Sequence, residues 1–205
     1  MIDLIKLEIT RTKFIKIYLP CEKKNIKPFD IISIKYLKDQ IEYDLYVDDF
    51  ATEAIQILKN LLKKALNFDL QIQRKYIDKG IGYYYNIYAN ELWTTDDENV
   101  IQSLVDPSQN FSLWSTPTHI GIETFMYNID DKIYIEISPI YKWNCDYPEN
   151  ESKYETFDNF LNNYKPIDIV SIDRSVAVRW LDFCCDMIKI FKENDKKYLK
   201  EDNTN

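Results

Sequence analysis

The one histidine of the chain, His119, sets the first limit on its chemistry. A serine or cysteine nucleophile activated by imidazole would have to use it, and no pair of histidines can form within a single chain. His119 stands in "STPTHIGIETF", at the start of an expected strand, where a strand-end or surface histidine is the simpler reading. Glycine is almost as scarce, with only Gly80, Gly82 and Gly121. "GIG" is too short to cradle a dinucleotide and is expected to lead into a strand instead of a helix, and there is no P-loop. Cys21, Cys145, Cys184 and Cys185 form no C-x-x-C pair, so zinc is not suggested and buried free thiols are expected. Carboxylates remain. Asp96, Asp97 and Glu98 are consecutive, and Asp130 adjoins Asp131. A two-metal hydrolase needs several such groups converging in one pocket. Asp146 with Glu151 and Lys153 is a fragment of that pattern without a strand to frame it. These residues assign no catalytic group, no metal and no cofactor.

The distribution of charge is more informative. The 205 residues carry 26 Lys and Arg against 34 Asp and Glu, a net charge of −8. From Gly80 through Asp131 there is no Lys or Arg, while Glu91, Asp96, Asp97, Glu98, Asp106, Glu123, Asp130 and Asp131 all fall there. Those acids account for the whole imbalance. A nucleic-acid binder shows the opposite sign, so direct nucleic-acid binding is not expected. The same span is rich in aromatics: Tyr83, Tyr84, Tyr85, Tyr88, Trp93, Phe111, Trp114, Phe125 and Tyr127. Aromatic anchors in a charged field suit a protein interface, the rings supplying affinity and the charge supplying speed. The implied partner is a protein with a basic surface. Two plainer roles compete: favourable charge in the first turn of a helix for Asp96–Glu98, and core packing for the aromatics.

The elements that must position these residues can be outlined from periodicity. Strands are expected near Leu4–Ile9, Phe14–Leu19, Ile31–Leu37 and Ile41–Val47, the last two joined as a hairpin. "DDFATEAIQILKNLLKKALNF" changes to helical spacing, with Asp48 or Asp49 as its cap. Strands are expected again at Leu70–Ile77 and Gly82–Trp93. A short helix follows in "TDDENVIQSLVDP", where Thr95 and Glu98 have capping-box spacing. "HIGIETFMYNIDDKIYIEISPIYKW" reads as a hairpin turning at Asp130–Asp131, and "YETFDNFLNNYKP" as a short helix. Last comes a long helix in "SIDRSVAVRWLDFCCDMIKIFKEN", with Val176, Trp180, Cys184, Met187, Ile188 and Phe191 as its apolar stripe. The expected fold is α+β: a mostly antiparallel sheet with helices packed on it and a long C-terminal helix. One domain covers 1–195, and a polar tail frays over 196–205. No apolar run suggests a membrane span, and "MIDLIKLEIT" is no signal peptide, so a cytoplasmic location is expected.

Three stretches, "YYYNIYANELWTTDDE", "IGIETFMYNIDDKIYIEISPIYKW" and "DRSVAVRWLDFCCDMIKIF", give the chain a layout similar to the immunity proteins of bacterial polymorphic-toxin and contact-dependent growth inhibition systems. That resemblance implies a non-enzymatic, acidic, cytoplasmic inhibitor that binds a cognate toxin domain one to one. The residues expected to meet the partner are Glu91, Trp93, Asp96, Asp97, Glu98, Trp114, Asp130 and Asp131. The alternatives are a general interaction or assembly subunit and a carboxylate-dependent metal hydrolase.

Overall fold

The computed structural model describes residues 3–144 and 154–202, with side chains to residue 196. Cys145, Asp146, Glu151 and Lys153 lie outside them. The chain builds two four-stranded antiparallel sheets in strict sequence order. The first holds β1 (Asp3–Thr10), β2 (Lys13–Leu19), β3 (Ile31–Lys38) and β4 (Ile41–Phe50). The second holds β5 (Ser112–Ser115), β6 (Ile122–Ile129), β7 (Lys132–Pro139) and β8 (Asp168–Ile172). The helices are α1 (Ala51–Leu66), α2 (Ile81–Thr94), α3 (Glu98–Ser103), α4 (Phe157–Asn162) and α5 (Arg174–Asp202). This is the expected α+β class, with its antiparallel pairing divided between two sheets. No helix among the described residues is long and apolar enough to cross a membrane.

The four amino-terminal strands form where alternation places them. Ile15, Ile17 and Leu19 of β2 and Ile32, Ile34 and Tyr36 of β3 point inward, while Lys16, Lys35, Glu42 and Asp44 pair on the outer face. The β3–β4 turn puts both Asp39 and Gln40 at positive φ, the backbone of a two-residue hairpin whose twist matches its strands. α1 buries Ala54, Ile55, Leu58, Leu61, Leu62 and Ala65, all at helical spacing. Its start is not capped by Asp48 or Asp49. The carbonyls of Asp30 and Pro28 accept from the N–H groups of Ala51 and Thr52 instead.

α1 and α5 lie side by side over a core shared by the inner faces of both sheets. The α5 stripe is as expected: Val176, Trp180, Cys184, Met187 and Phe191 are buried. The helix begins later than expected, because Ser171 and Ile172 close β8, and its backbone stays helical through Asp202, past the point where a frayed tail is expected. Of the thiols described, only Cys184 is buried; Cys21 is half-buried and Cys185 exposed.

Asp168 of β8 ties the sheets together. It accepts from Tyr36 and pairs with Lys13 and Lys38. Burial alone would raise its carboxyl, but the bonds from Lys13 and Tyr36 outweigh that and hold it below its ordinary value of 3.8. A depressed carboxyl stabilises the fold above its unfolded value and loses that contribution as pH falls through the folded one. Acid should therefore loosen this junction below about pH 4. Asp168→Asn should remove that acid sensitivity and cost about 1–2 kcal/mol at neutral pH, a charge-assisted bond discounted for partial exposure. Chemical denaturation at pH 7 and at pH 3 measures both effects.

Candidate functional site

Gly82–Trp93, expected as a strand, lies within the helix α2, which Gly80 precedes as its N-cap. Its tyrosines favour a strand locally, but the residues that meet the sheet are Ile81, Gly82, Asn86 and Ala89, spaced for one helical face. Small side chains bring that face close to β6 and β7. Gly80 has φ 81, and a Cβ on it would stand 2.6 Å from Glu136 Oε1. A Cβ on Gly82 would collide with Ser138 and Tyr164. The "GIG" element therefore opens a helix, not the expected strand.

The group it closes on is Glu136, buried on β7. Its carboxylate accepts from the Ile81 and Gly82 N–H groups and from the Ser138 hydroxyl, and Tyr164 donates on to Ser138. Burial pushes the Glu136 carboxyl up, and these bonds pull it back only in part. Asn86 fixes the next turn. Its Nδ2 donates to the Gly82 and Pro139 carbonyls, and its Oδ1 accepts from the Tyr141 N–H. α2 is thus fastened at its start and middle, and its last turn projects toward the open end of the β6–β7 hairpin.

Trp93 sits on that last turn with 61% of its surface exposed. The residues after it are also exposed. Thr95 Oγ1 accepts from the Asp97 N–H, and Asp97, in place of the expected Thr95–Glu98 box, caps α3 by accepting from the Asn99 N–H. Asp96 and Glu98 flank it, and Glu91 is exposed one turn earlier. No ion pair among the described residues uses any of these acids; the pairs present lie in the first sheet, its flanking loop and its junction with β8. α3 buries no residue, and Ile101 (38%) and Val105 (78%) also face outward.

The remaining expected contact residues lie elsewhere. Trp114 is not on the surface: it is 2% exposed, with its indole N–H donating to the Ala54 carbonyl inside α1. Asp130 and Asp131 are exposed, but they form the closed turn of the β6–β7 hairpin. Trp93 borders Gly121, Ile122 and Ile140 at the open end. At about 3.3 Å per residue the hairpin separates the two groups by roughly 25 Å. Instead of one acidic face there are two acidic regions, and the one at Trp93 lies beside exposed apolar residues. His119 is exposed in the turn before β6, outside any strand. Among the described residues no three of His, Cys, Asp and Glu are close enough to hold a metal ion.

Leu70–Ile77, expected as a strand, is a bridge at Gln71 to Asn128 followed by a single 3-10 turn at Arg74–Tyr76. It supplies Tyr76, which packs with Ile81, Phe125 and Tyr127 beneath α2.

Beside Trp93 opens a cleft of about 340 Å³, bounded by Tyr85 and Ala89 of α2, Thr116 and Thr118, and Tyr141 and Asn144. Glu123, which sequence reasoning counted only as one acid among others, lines it. The residue is 8% exposed, and its carboxylate accepts from the Ser112 hydroxyl. Burial pushes its carboxyl up to about 7, opposed by the Ser112 bond and reinforced by Asp106. Burial likewise pushes Tyr85 up to about 12, with Glu123 and Asp106 contributing. The signal in the sequence was an ionisable residue within "IETFMYNI", whose other side chains are nearly all buried.

Comparison of the chain with protein-family models, with curated proteins and with solved structures gives no match.

Proposed function

We propose that this protein is a stoichiometric inhibitor of a protein with a basic surface, an immunity protein for a nuclease-type toxin, and that it binds through the end of α2 and through α3. The observation that carries this reading is α3 itself. A six-residue helix is marginal on its own, and this one buries nothing in its own chain. It stands among Trp93, Ile101, Val105 and three acids that form no ion pair among the described residues, in a region without a single Lys or Arg. That combination supports a surface covered by a partner: apolar groups to bury, and a field to draw in basic residues. Asp130 and Asp131, at the far end of the hairpin, add to the field without joining the contact.

Capture of a basic, nuclease-type toxin domain by the purified protein tests the proposal. A one-to-one complex and restored growth of toxin-producing cells are expected. Absence of both would overturn the reading. Replacing Asp96, Asp97 and Glu98 together by alanine should slow association at least tenfold at low ionic strength, with the difference shrinking as salt screens the charges. Stopped-flow mixing at two salt concentrations measures this. An unchanged rate at low salt would remove the cluster from the interface.

A further inference from the structure

We propose that the cleft beside Trp93 is a receptor for one arginine side chain of the partner, with Glu123 at its base and Trp93 and Tyr85 as its walls. The inference rests on the proposed binding surface and adds a specific pocket to it. Three features of the cleft point to a guanidinium. The first is charge: Glu123 is a buried carboxylate lining the cavity, the one donor to it among the described residues is the neutral Ser112 hydroxyl, and the charged group acting on it is Asp106, another acid. Lys142, the one lysine beside Gly121, donates to the His119 carbonyl. The second is lining: Tyr85, Trp93 and Tyr141 border the opening, and guanidinium groups stack on aromatic faces. The third is an unused acceptor. Asn144 Oδ1 is buried in the lining and takes part in no hydrogen bond among the described residues. A planar group with five N–H donors can meet the carboxylate and this amide oxygen together. A cleft of about 340 Å³ admits such a side chain without rearrangement.

The ionisable groups acting on Glu123 and on its neighbour Tyr85 are Asp106, from the loop after α3, and Tyr88, on α2. Neither is a cation. Among the described residues no cation acts on Glu123, so an arriving arginine would supply a positive charge, and its binding should draw a proton off the carboxyl. Arginine should accordingly bind more tightly at pH 8 than at pH 5.5.

The test needs no partner. The intact protein is titrated at pH 8 with Nα-acetyl-arginine amide and, separately, with its uncharged isostere Nα-acetyl-citrulline amide. The Trp93 indole N–H and the Gly121 amide are followed by nuclear magnetic resonance. The arginine probe should saturate in the millimolar range, the citrulline probe should not saturate, and binding should weaken at pH 5.5. Glu123→Gln and, independently, the surface variant Trp93→Ala should each weaken the arginine probe at least fivefold. Equal responses to the two probes, or an arginine response unchanged in Glu123→Gln, would overturn the proposal. The outcome is separate from the broader reading: a cleft that ignores arginine leaves the partner complex and its dependence on Asp96, Asp97 and Glu98 to stand or fall on their own.

Discussion

Glu136→Ala should destabilise the protein by about 3–5 kcal/mol, among the largest effects open to a single side chain here. The substitution deletes no ion pair. It leaves the Ile81 and Gly82 N–H groups facing a space that water does not reach, strips Ser138 of its acceptor, and opens a hole between β7 and α2. Each buried donor left unsatisfied costs about 1–3 kcal/mol, and the two glycines have drawn the backbone too near for another side chain to fill the gap. Ser138→Ala, which keeps the carboxylate and both N–H bonds but leaves the Tyr164 hydroxyl without its acceptor, should cost less, about 1–2 kcal/mol. Denaturant unfolding followed by circular dichroism compares the two. Hydrogen exchange should place the damage in α2, with the first sheet still protected. A loss below 1 kcal/mol for Glu136→Ala would mean that packing alone holds the helix.

Glu123→Gln should do the reverse and stabilise the protein, in a way that depends on pH. The folded value near 7 lies above the ordinary 4.5, so the fold prefers the protonated carboxyl. Stability contributed by a raised acid is full below its unfolded value and is lost as pH rises through the folded one. Between about pH 4.5 and pH 7 the wild type should lose stability that the glutamine variant keeps. At pH 8 the variant should be ahead by about 3 kcal/mol, and at pH 4 the two should be nearly equal. Coincident unfolding curves at pH 8 would show that the carboxylate is already well solvated in its cleft. With the titration of arginine amide, this gives a conflict within one residue: the charge that makes the cleft selective weakens the fold that carries it.

Much of the architecture was legible in the sequence because local pattern and final burial agree. β1 to β4, the β6–β7 hairpin, α1, α4 and α5 stand where alternation or helical spacing put them. α2 departs from the strand pattern because its tyrosines are half-buried along the flanks of the helix, Tyr84 and Tyr85 against the cluster beneath it, while the face that meets the sheet is written in Gly82, Asn86 and Ala89. β5 and β8 were missed because each is four or five residues long and is held mainly by a neighbour rather than by its own composition. At the candidate site, exposure of Trp93 and the acids could be hoped for but not established from sequence. Trp114 shows why: it lies in the same acidic, aromatic span, yet α1 covers it. Glu123 gained its significance only from neighbours distant in sequence: Ser112 across a strand pair, Tyr85 on a helix, Asp106 in a loop.

The last helix also imposes a schedule. Asn194 of α5 closes its hydrogen bonds on the carbonyls of Lys24 and Ile26, 170 and 168 residues earlier. The amino-terminal meander needs only its own short turns to form, so it can assemble while the ribosome is still at work, yet the apolar side that α5 covers has to wait. At about 5–20 residues per second that wait is on the order of 10–30 s. Throughout it, a nearly finished sheet carries an uncovered layer of isoleucine and leucine, and this is when the nascent chain is most open to chaperones and to aggregation.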